Sequence, residues 1–150
     1  MSAGEKVEFG SDAWVGAARR TLEDLVAAAG PAIAGERLQA CEVFTDPPPH
    51  MNSRGAPLIW SFRIEDGAVE VSRHLGADVD FKITADYATA LPLARRVYGT
   101  SPEAAAERVA AQQAAIDDGK MTREGDLSAL SPDLAAILVE LHNRMARVTL

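Results

Sequence analysis

Few side chains in this sequence stand in patterns that chemistry could use. The three histidines do not converge: His50 lies in a proline-rich loop, His74 falls on the outward side of a strand, and His142 has Glu140 only two positions away, off its own helix face. No metal site is expected. Cys41 is the single cysteine, so it forms no intramolecular disulfide, and no neighbouring base activates it as a nucleophile. Gly-rich phosphate loops and Gly-x-Ser-x-Gly elbows are absent. The remaining candidates are Asp80, Asp86, Tyr87 and Tyr98, which would suit acid–base chemistry if they lined one apolar cavity, and Arg73, a cation whose facing depends on its strand.

These side chains sit in a chain of 150 residues with a formal charge of −7. A chain of this length buries roughly 70% of its unfolded surface, enough for one soluble domain, residues 1–150, without staples. The acidic balance excludes a phosphate-backbone footprint and disfavours an anionic membrane surface. No window approaches the roughly 20 apolar residues of a membrane span, and the first ten residues, expected to be a flexible tail, contain no signal-peptide core. A cytoplasmic location follows as the expectation.

The elements that must position the candidates are signposted. Trp14, Ala18, Leu22, Leu25, Val26 and Ala29 recur at helical spacing, with Ser11 or Asp12 as cap and Gly30-Pro31 as stop. Leu38 to Thr45 reads as a strand of uncertain facing, followed by a proline-rich loop over 46–57 whose consecutive prolines forbid a ladder. Leu58, Trp60, Phe62 and Ile64 then alternate with polar residues up to Asp66-Gly67, a type I′ hairpin signal. The register pairs Ile64 with Val69, Phe62 with Val71, Arg63 with Glu70, and Trp60 with Arg73. A third alternation, Val79, Phe81 and Ile83, extends this into an expected antiparallel meander.

In that register Arg73 faces inward, where a cation needs a partner. It would receive a carboxylate or phosphate head group, or stack on the Trp60 indole and reach water. Thr84 is expected to cap a helix running to about Tyr98, broken or kinked at Pro92. Ser101-Pro102-Glu103 and Ser131-Pro132-Asp133 open two further helices, the first stopping at Gly119. The last carries the strongest apolar stripe: Leu134, Ile137, Leu138, Leu141, Met145 and Val148.

Four segments in this order resemble the sterol carrier protein type 2 domain family. They are Trp60 to Gly67 at the hairpin, Val79 to Tyr87 from strand into helix, Gly119 to Asp126 as a late edge strand, and the final helix with Leu141-His142. The resemblance covers about residues 58 to 146. It implies an α+β fold, a sheet of about five antiparallel strands covered on one face by helices, with an apolar tunnel between the layers. The implied function is non-enzymatic binding of a fatty acid, acyl-CoA or sterol-like lipid, with no cofactor and no catalytic residue. The tunnel wall would come from Trp60, Phe62, Val71, Arg73, Phe81 and Ile83 of the sheet and Leu91, Ile137, Leu138 and Leu141 of the helices. The same residues would otherwise form a filled core. The chain ends Arg147-Val148-Thr149-Leu150, which departs from the peroxisomal address of some family members. Two other readings compete: an acid–base isomerase or hydrolase on a cone-like α+β fold, and a homodimeric interaction domain pairing through the Leu134 to Met145 stripe.

Overall fold

The structure is a computed structural model that describes residues 5–52, 54–76 and 78–150. Helix α1 spans Asp12–Ala29, where Ser11 Oγ accepts the Trp14 amide at 3.1 Å and Gly30 closes the last turn. A short 3₁₀ turn, Gly30–Ile33, leads into β1, Arg37–Thr45. Past the proline loop, whose Ser53 lies outside the described residues, β2 (Leu58–Glu65) and β3 (Ala68–Ser72) form the hairpin. Asp66 and Gly67 both have positive φ, 50° and 78°, as a type I′ turn requires. The ladder pairs Ile64 with Val69, Arg63 with Glu70 and Phe62 with Val71, as the alternation predicts.

The third alternating segment corrects the meander. Strand β4, Phe81–Asp86, lies beside β1 and runs parallel to it, and β5, Met121–Gly125, adds at the edge. The five-stranded sheet therefore has the order β3-β2-β1-β4-β5 and is mixed, not antiparallel throughout. Between β3 and β4 the chain returns across the sheet face that carries Gln39, Cys41 and Ser61. Ser61 Oγ donates to the His74 carbonyl at 2.9 Å, and Gly76 packs on the Gln39 side chain. Asp80 ends the crossing: its amide donates to the Gln39 carbonyl, and its Oδ2 accepts the Gln39 amide, both at 2.8 Å. Gly125 passes so close that an added Cβ would collide with the Asp80 carbonyl oxygen.

Helix α2, Tyr87–Arg95, is capped by Asp86, whose carboxylate accepts the Thr89 amide; Thr84 and Ala85 remain in the strand, and Tyr98 lies beyond the helix end. The expected helix from Thr84 to Tyr98 is thus shorter at both ends, with Pro92 inside it. Helices α3, Pro102–Asp117, and α4, Pro132–Val148, start at the serine caps expected of them. Helix α1 packs on β3 and α4, α2 packs on β4, β1 and α4, and α3 lies against β5 with only Ala115 buried. Leu134, Ile137, Leu141 and Met145 are buried in this arrangement, so that stripe is not free to pair with a second copy. The N-terminal segment is also tied down, against expectation. Val7 bridges to Thr149, and Phe9 is buried among Trp14, Phe44 and Tyr87; residues 1–4 lie outside the described residues.

Candidate functional site

The pleat sets one row of side chains against the helices: Leu38, Ala40, Glu42 and Phe44 of β1, Leu58, Trp60, Phe62 and Ile64 of β2, Phe81, Ile83 and Ala85 of β4. All but one are apolar or aromatic. The structure gathers the expected wall residues into a single cluster, in which Trp60, Phe62, Phe81, Ile137 and Leu141 are buried while Val71, Ile83, Leu91 and Leu138 are half-buried against them. Aromatic rings fill one part of the interlayer space: Trp14 stands edge-on to Trp60 at 5.4 Å, and Trp60 leans on Phe62 at 5.3 Å. The larger of two described grooves, about 580 Å³, lies elsewhere. It follows edge strand β3 between Arg19, Glu23, Arg63 and Glu70, a mixed-charge lining unsuited to an apolar chain.

The exception in the helix-facing row is Glu42. It sits on the central strand, paired with Trp60 on one side and Ile83 on the other. The Trp60 indole N–H donates to Glu42 Oε1 at 2.9 Å. Burial among apolar groups pushes the carboxyl up to about 7, and the indole hydrogen bond offsets only part of that. None of the ion pairs among the described residues includes it. In the same row, beyond Ile83, stands the exposed Arg123, whose guanidinium lies 5.6 Å above the Phe81 ring. Sequence reasoning passed over both residues. The available signal for Glu42 was the run Leu38, Ala40, Glu42, Phe44, obscured because Cys41 and Val43 make the other face of β1 apolar too.

Arg73 does not occupy the place the hairpin register gives it. The ladder ends at Ser61 and Ser72, so Arg73 is not paired with Trp60 but lies in the bend that follows. Its guanidinium donates twice to the Gly10 carbonyl at 3.0 Å, with a longer contact of 3.4 Å to the Ser11 carbonyl. Its charge is therefore met by the backbone entering α1, with Asp12 Oδ1 3.9 Å from its Nε.

Among the acid–base candidates, Asp80, Asp86 and Tyr87 are likewise committed. Asp80 and Asp86 hold backbone amides, and the Tyr87 hydroxyl donates to the Phe9 carbonyl at 2.7 Å, with burial pushing its phenol up. Tyr98 is held through its backbone, whose amide donates to buried Asn143 and whose carbonyl accepts from it. Among the histidines, His50 contacts Glu8, His74 is exposed, and His142 Nε2 meets the Arg96 carbonyl at 2.8 Å with its ring pKa lowered by burial. No group of three or more metal-ligating side chains occurs among the described residues. Cys41 is buried under the crossing segment, and burial pushes its thiol up.

Three solved structures share this arrangement over nearly its whole length. A crystal structure of sterol carrier protein 2 aligns with a TM-score of 0.55 and 19% identity, covering 95% of this chain and all (100%) of that one. A Thermus thermophilus protein described as a candidate sterol carrier protein aligns at 0.55 with 21% identity over 97% of this chain and 95% of its own. The sterol carrier protein domain 2 of Helicoverpa armigera aligns at 0.51 with 18% identity, again over 97% and 95%. No sequence-family profile matches the chain, and no curated protein does. At these identities the likeness establishes the fold.

Proposed function

We propose that this chain, which has the fold of sterol carrier protein 2, binds a hydrophobic small molecule between its sheet and its helices and carries or presents it without altering it. The observation that supports this reading is the alignment of nearly the entire chain with solved proteins named as sterol carriers. The half-buried Ile83, Leu91 and Leu138 mark where the apolar wall is incompletely covered, and a ligand would enter there. No helix among the described residues is long and apolar enough to cross a membrane. In this reading the chain works in the cytoplasm and takes its ligand from solution or from a membrane surface. Carriage needs no cofactor, metal or catalytic step, and Asp80, Asp86 and the Tyr87 phenol, considered for acid–base work, already hold backbone groups.

The test is native mass spectrometry of freshly purified protein, followed by organic extraction. The expected result is an adduct of lipid mass that is released chemically unchanged. A clean unliganded mass that stays unchanged on titration with fatty acid, acyl-CoA and sterol would overturn the reading.

A further inference from the structure

We propose that Glu42 and Trp60 form the polar end of the ligand site and select a molecule that carries a hydroxyl head group. This rests on the carrier reading above and adds the head-group chemistry to it. A carboxyl in the helix-facing row of the central strand, among Ala40, Phe44, Trp60 and Ile83, is costly to the fold unless something engages it. Only half of it is engaged within the chain. The Trp60 indole, a donor with no acceptor capacity, occupies Oε1 and fixes the carboxyl plane. Oε2 makes no hydrogen bond, yet no fully buried side-chain oxygen among the described residues lacks a partner, so Oε2 retains some solvent exposure. The result is an oriented, single-sided hydrogen-bonding position set in an apolar wall.

A hydroxyl suits that position in either protonation state of Glu42. It donates to Oε2 when the carboxyl is ionised and accepts from it when the carboxyl is protonated. A carboxylate or phosphate meets a like charge in the first state and can be accommodated only in the second. An ether lacks the donor that the ionised state needs. The cation of the row, Arg123, stands beyond Ile83 over the Phe81 ring and leaves Glu42 unpaired.

The experiment uses the full chain at pH 7 with a bound pyrene-labelled hydrocarbon as reporter. Hexadecanol, hexadecanoic acid, hexadecyl methyl ether and dehydroergosterol are titrated as competitors. Hexadecanol is expected to displace the reporter at about tenfold lower concentration than the acid or the ether. Glu42→Leu removes that preference, whereas Glu42→Gln keeps the advantage of alcohol over ether and narrows the deficit of the acid. Stronger displacement by dehydroergosterol than by hexadecanol would assign the hydroxyl to a ring system, and the reverse to a chain; either supports the proposal. Equal displacement by alcohol and acid, preference for the acid, or an unchanged preference in Glu42→Leu would overturn it while reporter binding keeps the carrier reading intact. Failure of the wild-type chain to bind the reporter or any competitor overturns both.

Discussion

Arg73 reaches from the end of β3 to the two carbonyls that precede α1, and this bond changes what its removal should do. A guanidinium seated on backbone acceptors is a structural clamp, with charge-assisted hydrogen bonds worth about 1.5–3 kcal/mol. Arg73→Leu is therefore expected to lower stability in urea by an amount in that range and to leave the relative affinities for hexadecanoic acid and hexadecanol unchanged. A selective loss of the acid would return Arg73 to the head-group role that its register suggests. That role requires the ladder to run one pair further, to Trp60 and Arg73. The ladder stops at Ser72, where Ser61 turns its hydroxyl to the His74 carbonyl instead. Alternation alone carries no mark of where a strand frays. Glu42 was hidden for the opposite reason: with apolar residues on both faces of β1, nothing local distinguishes the helix-facing row from the other.

Among the elements, the three serine caps were legible because each combines an acceptor side chain with a following helical run. Ser11, Ser101 and Ser131 each accept the amide three residues on. The start of α2 was misplaced because Thr84 and Asp86 are both competent caps. The ladder decides between them: Thr84 pairs with Thr122, and only Asp86 is left at the strand end. Pairing direction was not legible at all, since Phe81, Lys82 and Ile83 alternate identically beside a parallel or an antiparallel neighbour. The helices also differ in how firmly they are held. Helix α4 buries Leu134, Ile137, Leu141 and Met145, whereas α3 buries Ala115 alone and leaves Val109 55% exposed. Amide hydrogen exchange is expected to show α3 opening on its own, with protection well below that of α4. Equal protection in the two helices would mean that α3 is held by contacts its burial does not reveal.

For the molecule as a whole, two half-buried groups pull the pH dependence of stability in opposite directions. Glu42 has a folded pKa raised from 4.5 to about 7, so the folded state binds the extra proton and stability falls as pH rises through that interval, by at most about 3 kcal/mol. His142 has a folded pKa lowered from 6.5, so its contribution is complete above 6.5 and is lost as pH falls below it. Glu42→Gln removes the first effect. Urea melts between pH 4.5 and 8 are expected to show the variant gaining on the wild type as pH rises, while losing stability on the acid side through His142. Parallel curves for variant and wild type would show that Glu42 does not titrate in this interval. The mixed sheet bears on how the chain reaches this state. β1 is central, but its contact with β4 joins Gln39 to Asp80, 41 residues apart in sequence, whereas the β2–β3 hairpin closes through two turn residues. Loop closure makes the distant pairing the entropically costly one, and prior formation of the hairpin shortens the chain that must be closed. The parallel seam between β1 and β4 is then expected to form after the hairpin, and until it forms one edge of the central strand stands open to pairing with other chains.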